Sequence, residues 1–208
     1  MKLLVLGATG PTGRLIVDAA LQCGDTVAVL ARRPEVLGSL AGLVRVIAGD
    51  ATSSSDVARA MTGQDAAVSA LGRGRSVRAR GLFTQAADAV LKAAERTSVS
   101  RLVWMSSFGV GDTYAFAHPL QRVMYSTVLR DIYADKKKSE EAIRSSGLAW
   151  TLVYPTTLTH GPARGTYRVD DRVKVKLVSR VSRADVAQFM HQAAHRPEWI
   201  HRDAVITD

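Results

Sequence analysis

The sequence contains one cysteine, few aromatic residues and no long hydrophobic run. Its single cysteine, Cys23, excludes an internal disulfide and is typical of a protein of the reducing cytoplasm. No apolar run approaches the roughly 18 residues that a membrane-spanning helix needs, so we expect no membrane partner. The first residues are predicted to form a strand that leads directly into a glycine-rich turn, which is not the pattern of a signal peptide. We therefore expect a cytoplasmic protein, with Cys23 packed inertly at a helix end before Gly24.

Motifs of several other function classes are also absent. The chain has neither a phosphate-binding P-loop nor a G-x-S-x-G nucleophile elbow. His191 and His195 have the i, i+4 spacing of zinc ligands, but no motif places a third ligand, so we predict surface histidines and no metal site. The net charge of +9 suits anionic ligands. A nucleic-acid partner is nevertheless disfavoured, because the most basic stretch, residues 73–80, lacks interleaved aromatic residues.

A strand, a glycine-rich turn and a helix are predicted within the first 20 residues. The apolar run 2–6 is followed by Gly-Ala-Thr-Gly-Pro-Thr-Gly at residues 7–13, and an amphipathic stretch begins at once. In this pattern Gly7 allows a sharp turn, Gly10 lets a pyrophosphate approach the backbone, and Gly13 lets the helix pack close to the strand. The N–H groups at the helix start would then face the phosphates. The motif predicts a dinucleotide site.

The rest of the chain alternates between predicted strands and helices. Strands are predicted at 26–30, 44–48, 66–71, 101–105, 149–154 and 204–206. Helices are predicted from a cap at Ser53 to Met61, at 82–95, from Pro119 with a break around 128–131, and after a cap at Ser182. A hairpin is predicted at 166–169 and 173–175, flanking Asp170-Asp171. This order predicts one α/β domain over residues 1–208, a Rossmann-like, doubly wound parallel sheet with helices on both faces and a small C-terminal extension.

The end of the second predicted strand indicates the choice of cofactor. An acidic residue there would bind the ribose 2′-hydroxyl of NAD, but this chain has Arg32 and Arg33 instead. Guanidinium groups pair well with a phosphate, so NADP(H) is favoured over NAD. After the third strand, Asp50 is equally suited to bind the adenine amino group or to cap a turn. The basic stretch 73–80 suits a pyrophosphate, an acidic substrate or simply solvent.

Several motifs together resemble those of a known family. They are the G-A-T-G-x-x-G turn, the serine pair at 106–107, a Y-x-x-x-K spacing, and the phrase Arg-Ser-Ser-Gly-Leu-Ala-Trp-Thr-Leu-Val-Tyr-Pro at 144–155. In these features the chain resembles the atypical short-chain dehydrogenases, in particular the NmrA-like, NAD(P)H-binding branch that includes the biliverdin-IXβ (flavin) reductases. The resemblance extends over nearly the whole chain.

The resemblance implies a role for each matching position. The pyrophosphate would lie against Gly7, Thr9, Gly10, Pro11, Thr12 and Gly13, and the 2′-phosphate against Arg32 and Arg33. Asp50 and Ala51 would border the adenine, and Ala70, Leu71 and Gly72 the ribose side. The nicotinamide would be bordered by Pro155, Thr156, Thr157 and Leu158. Ser107, with Ser106 beside it, would lie near the transferred hydride.

A tyrosine and a lysine form the proton-transfer pair of catalytically complete short-chain dehydrogenases. Tyr133 and Lys137 have the required spacing and share a helical face. A neighbouring cation would lower the tyrosine pKa from about 10 toward neutrality. The flavin-reductase branch, however, does not use this pair, and another register places Lys136 at the lysine position and Ile132 at that of tyrosine. We predict Ser107, Tyr133 and Lys137 as catalytic candidates and leave the register open.

The combined features predict an NADPH-dependent oxidoreductase that transfers hydride to a small conjugated acceptor such as a flavin, quinone or related carbonyl compound. One alternative is an NmrA-like regulator that senses NADP(H) without turnover. Another is a sugar-nucleotide epimerase or dehydratase, which the roughly fifty residues after the sixth strand make less suitable, since a substrate domain needs more chain.

Overall fold

The computed structural model describes residues 1–72, 80–173 and 175–208. The strands are β1 (Lys2–Leu6), β2 (Thr26–Ala31), β3 (Arg45–Ala48), β4 (Ala66–Ser69), β5 (Arg101–Met105), β6 (Ala149–Pro155), β7 (Thr157–Thr159), β8 (Arg168–Asp170), β9 (Arg180–Ser182) and β10 (Arg202–Thr207). The α-helices are α1 (Pro11–Gln22), α2 (Ser54–Met61), α3 (Leu82–Ala94), α4 (Pro119–Ser126), α5 (Arg130–Arg144) and α6 (Arg183–His195). The predicted break between α4 and α5 is confirmed.

The described strands form an eight-stranded sheet in the order β3-β2-β1-β4-β5-β6-β10-β8. All neighbours in it are parallel except β8, which runs antiparallel to β10 at one edge. Leu3 to Leu6 of β1 are fully buried, as expected for a parallel strand covered on both faces. Apolar residues of α1 and α6 cover one face, and those of α2, α3 and α5 cover the other. The predicted Rossmann-like class is therefore confirmed.

Two local predictions are wrong. The residues flanking Asp170-Asp171 do not form a hairpin: β8 pairs with β10, and Val173 and Val175 lie outside any strand. Lys174 and most of the basic stretch, residues 73–79, lie outside the described residues. Cys23 is exposed instead of packed, since it lies just beyond the last turn of α1. The inward face of α3 agrees with the prediction: Phe83, Ala86, Ala87 and Val90 are buried, and Leu91 and Ala94 are half-buried and pack against the same core.

The start of α3 is held by a side chain from α5. Gly81 precedes α3 in the left-handed region, with φ of 72°, and α3 has no capping side chain of its own. The Asp135 carboxylate accepts the backbone N–H groups of Phe83 and Thr84 at 2.9 and 3.1 Å. It therefore satisfies two of the N–H groups that a helix start leaves unpaired.

No helix among the described residues is long and apolar enough to cross a membrane.

Candidate active site

The glycine turn between β1 and α1 is a cradle with an open centre. Gly7 has φ of 87°, and a Cβ there would lie 2.7 Å from the carbonyl oxygen of Ala70. A Cβ on Gly13 would lie 2.1 Å from the carbonyl oxygen of Gly7, which side chains cannot do. A Cβ on Gly10 would meet only that same oxygen, at 3.3 Å, and would otherwise point into open space. Gly7 and Gly13 are thus required by packing, whereas the space beside Gly10 suits a ligand.

The first turn of α1 offers backbone donors to that space. Gly10 is the N-cap in an extended conformation, and its position carries no side-chain cap. Pro11 takes the first helical position, where a missing N–H costs nothing. The next N–H groups and the helix dipole favour an anion. The residues present therefore fit a pyrophosphate, as the motif predicts.

The carboxyl ends of β4, β5 and β6 lie on the same edge of the sheet as this turn. Leu6 is in register with Ser69, and Ser69 with Trp104. The predicted nucleotide and nicotinamide positions therefore follow neighbouring strands. Ala70 and Pro155 are buried, Leu71 and Leu158 are half-buried, and Gly72 and Thr157 are exposed.

Two of the predicted positions are buried and hydrogen-bonded to other side chains. Thr156 is buried and its hydroxyl lies 3.2 Å from that of Thr207 on β10. Ser106 is buried as well and donates its hydroxyl to Glu140. Their neighbours Thr157 and Ser107 are the more accessible members of each pair. Contact of Ser107 and Thr157 with a nicotinamide stays a prediction.

Lys136 reaches Ser107 from α5. Its ammonium Nζ donates to the Ser107 Oγ at 2.7 Å and lies 4.8 Å from the centre of the Phe83 ring. Lys136 is only 6% exposed. Burial lowers the pKa of Lys136 to about 8, although the carboxylates of Glu140 and Asp135 favour its charged form. The pair places an exchangeable proton at the predicted hydride position.

Glu140, one turn further along α5, sits in a buried polar network behind the serines. Its carboxylate accepts from Ser106 and from the Tyr154 hydroxyl, the latter at 3.0 Å. Arg144 donates to the same Tyr154 oxygen at 3.0 Å and forms an ion pair with Asp203. Burial raises the pKa of Glu140 to about 7, although these two hydrogen bonds and the charge of Lys136 lower it. Glu140 thus changes charge near neutral pH within reach of Lys136.

The predicted pair of Tyr133 and Lys137 is engaged elsewhere. The Tyr133 hydroxyl donates to the carbonyl of Phe108 at 2.9 Å, and its ring stacks on Tyr125. Burial, together with Tyr125, raises the pKa of Tyr133, which is opposite to the shift that a tyrosine acid needs. The Lys137 side chain is 61% exposed and lies 3.8 Å from Glu141. Of the two registers, the structure brings Lys136 to the serines.

Beside this pair lies a cavity of about 280 Å³. It is lined by Gly109, Val110, Gly111, Tyr114, Tyr125, Ser126, Tyr133, Ala134 and Lys137. Lys137 and Tyr133 thus border a space next to the predicted site, although their polar groups do not contact each other.

The predicted adenine side of the site is more exposed to solvent than the predicted nicotinamide side. Arg32 and Arg33 follow β2 and are exposed. Asp50 caps its own turn, since its Oδ1 accepts both the N–H and the hydroxyl of Thr52 at 2.9 Å. Ala51 beside it is half-buried. Asp50 thus has the capping role, and its contact with adenine stays a prediction.

Sequence reasoning did not find Glu140, Tyr154 or Arg144. A signal was available for part of the set: Lys136, Glu140 and Ile143 recur at helical spacing, which marks one face of α5, and all three are buried. Two charged residues on the buried face of a helix indicate a functional site or an ion pair. The partnership with Tyr154 depends on β6 packing against α5 and has no local pattern.

The chain belongs to an NAD(P)H-binding family, whose model matches residues 7–197. This membership confirms the NAD(P)H-binding part of the predicted resemblance. The glycine turn, Ser107, Lys136 and Thr157 all lie within the matched residues.

Relatives extend the comparison. The chain is 26% identical over 186 residues to the uncharacterized sugar epimerase YhfK of Bacillus subtilis, covering 86% of this chain and 83% of that protein. It is 30% identical over 160 residues to (4-alkanoyl-5-oxo-2,5-dihydrofuran-3-yl)methyl phosphate reductase of Streptomyces griseus, covering 74% of this chain but 47% of that reductase. The structure superposes on ChuY, an anaerobilin reductase of Escherichia coli O157:H7, with a TM-score of 0.83 and 25% identity, covering 99% of this chain and 96% of ChuY. The coarse prediction of an NAD(P)H-binding oxidoreductase is supported.

Proposed function

We propose that the protein is an NADPH-dependent oxidoreductase that transfers hydride to a small conjugated acceptor such as a flavin, quinone or related carbonyl compound. The observation that carries this proposal is the Lys136–Ser107 hydrogen bond at the carboxyl edge of the sheet, facing the same side as the open glycine turn. The reductase activities named for two relatives, ChuY and the Streptomyces griseus enzyme, support it.

Cofactor preference is assigned to the arginine pair after β2. Arg32 and Arg33 are exposed and follow the strand next to β1, on the side where a dinucleotide presents its adenosine ribose. Two guanidinium groups can bind a 2′-phosphate, whereas a 2′-hydroxyl needs an acceptor. We infer a preference for NADPH over NADH.

An apolar rim suits a conjugated acceptor. It comprises the exposed side chains of α4 and of two neighbouring segments: Leu120, Val123, Met124, Val128, Leu177 and Val178. Gln121 on α4 donates to the carbonyl of Leu177 at 3.2 Å, which joins the two parts of the rim. The backbone N–H of Thr157 donates to Ser179 at 3.3 Å, so the rim continues from the predicted nicotinamide position. A flat, apolar ring system would find contact area there.

The side chains at the site supply and hold protons. Bound NADPH would provide the hydride. Since an ammonium only donates, the Ser107 oxygen is the acceptor in its bond with Lys136, and its own hydroxyl proton can be donated to the reduced acceptor. Lys136, with a pKa lowered to about 8 by burial, can replace that proton. Catalysis then depends mainly on positioning the acceptor against the nicotinamide.

The position of Tyr133 supports the alternative of a sensor that binds NADP(H) without turnover. Because its hydroxyl is donated to a backbone carbonyl, the site lacks the usual tyrosine acid at that position. The same observation weighs against epimerase chemistry, in which hydride leaves and returns to the carbon of a carbonyl group and an acid–base group is required at its oxygen.

A screen of NADPH oxidation tests the proposal. Purified protein is assayed with flavins, quinones and aldehydes, and NADPH binding is measured separately by calorimetry. We expect turnover with at least one flavin or quinone and none with Gly10→Val, whose side chain would fill the space beside the turn. NADPH binding without turnover of any acceptor would favour the sensor.

A further inference from the structure

We propose that Asp25, His191 and His195 form a binding site for a divalent transition-metal ion, with Zn²⁺ as the expected occupant. The three residues meet at the end of the sheet opposite the candidate active site. Asp25 directly precedes β2, and the two histidines lie one turn apart in the second half of α6. The site is therefore separate from the proposed reductase function and does not depend on it.

The donor atoms converge on one oxygen. The Nε2 atom of His191 lies 2.7 Å from Oδ2 of Asp25, and that of His195 lies 2.8 Å from the same oxygen. One ligand atom from each residue lies within 4.8 Å of the others. Two imidazole nitrogens and a carboxylate oxygen are donors that zinc prefers, and three protein ligands leave a fourth position open. The fold thus supplies the third ligand that the His-x-x-x-His spacing lacked.

Burial favours a built site over a chance surface cluster. Asp25 is 7% exposed and His191 is 6% exposed, so the prediction of a surface position is wrong for His191. The His195 side chain is 35% exposed, which leaves one side open to solvent. An ion can therefore enter beside His195 without unfolding the chain.

The carboxylate is already oriented for this role. The Met1 amine contacts Oδ1 of Asp25 at 2.5 Å, which leaves Oδ2 to the histidines. Partners of this kind behind a metal ligand fix its direction. Without an ion, both nitrogens bind the carboxylate through hydrogen bonds. With zinc bonds of about 2.0 Å, tetrahedral ligand atoms would lie roughly 3.3 Å apart, so each imidazole nitrogen has to move about half an ångström further from Oδ2 to admit an ion.

The ion would join two parts of the chain that are distant in sequence. Asp25 follows α1, and α1 packs against α6 on one face of the sheet. A metal bound by Asp25 and the histidines would link these elements and stabilise the folded state by an amount that grows with the logarithm of the free ion concentration above Kd.

Metal binding is measured on the full chain after dialysis against a chelator. Zn²⁺ affinity is obtained by competition with a chromophoric chelator, and Co²⁺ is used as a spectroscopic probe whose visible bands report tetrahedral geometry. We expect one ion per chain and a rise in melting temperature with Zn²⁺. His195→Gln and Asp25→Asn should each weaken binding by at least about tenfold. His160→Gln, an exposed histidine elsewhere, is the matched control and should change nothing.

Two outcomes would overturn the proposal: a wild-type protein that binds neither ion, or binding that is unchanged in His195→Gln. His195 is the decisive position, because it is partly exposed and its replacement should leave the fold intact even if Asp25→Asn does not fold. Circular dichroism confirms the fold of each variant. The readouts do not involve NADPH, so failure of this proposal and failure of the proposed function are distinguishable.

Discussion

The ammonium group of Lys136 donates a 2.7 Å hydrogen bond to the hydroxyl of Ser107. This contact joins α5 to the end of β5, and of the two candidate lysine registers it brings Lys136 to Ser107. It separates two mechanisms that the sequence left open, and the first prediction follows from it.

Tyr133→Phe should retain most of the NADPH-dependent reductase activity, because the tyrosine hydroxyl is already donated to Phe108. Its loss should cost about 1 kcal/mol of stability, the usual value of one hydrogen bond. Ser107→Ala and Lys136→Met should each lower kcat by about a hundredfold, the lower end of the range that general acids contribute. Steady-state kinetics on the best acceptor test this. A hundredfold loss of kcat in Tyr133→Phe would restore the tyrosine mechanism.

Replacing Arg32 and Arg33 together by alanine should remove most of the preference for NADPH. We expect the wild type to bind NADPH at least tenfold tighter than NADH, a difference of about 1.4 kcal/mol. Calorimetry with both nucleotides gives the ratio. Arg45→Ala is the control, since Arg45 is exposed at the start of β3, on the opposite edge of the sheet. Equal affinities in the wild type would contradict the assignment.

Two glycines of the turn should respond differently to a side chain. Gly10→Val should fold but lose NADPH binding, because its Cβ meets only one oxygen, at 3.3 Å, and points toward the phosphate space. Gly13→Ala should destabilise the fold, because its Cβ would lie 2.1 Å from the Gly7 carbonyl oxygen. Thermal unfolding and calorimetry of both variants distinguish these effects. Retained NADPH affinity in folded Gly10→Val would place the phosphates elsewhere.

Glu140 should make stability fall as pH rises toward neutrality. Burial raises its pKa from 4.5 to about 7, so the folded state holds a proton that the unfolded state has lost. This stabilisation is complete below pH 4.5 and is lost as pH rises through 7, with a total of at most about 3 kcal/mol. Urea unfolding at pH 5 and 7.5 should show the fall in the wild type. Glu140→Gln should lack this part of it, and identical pH slopes would refute the assignment.

The sequence was informative where a pattern is local. The strand, glycine turn and helix at the N-terminus could be predicted because the spacing of the glycines is a local pattern with a known backbone geometry. The alternation of strands and helices predicted the class of sheet. The sequence was uninformative where tertiary packing decides. Lys136 and Lys137 differ by about 100° around α5, and the packing of α5 on α3 selects the first. The pairing of β8 with β10 and the contact of Asp25 with His191 each join segments that are distant in sequence, so no local pattern predicts them.

Asp135 and Lys136 are consecutive, and both face α3. One holds the start of that helix and the other reaches Ser107. A rotation of α5 that presented another residue to the serines would therefore also remove the Asp135 cap from α3. The position of the lysine on α5 is thus tied to the capping of α3. Under the proposed function, variation in substrate choice would then come from the rim formed by α4 and residues 177–178, where a substitution leaves the contacts of Asp135 with α3 unchanged.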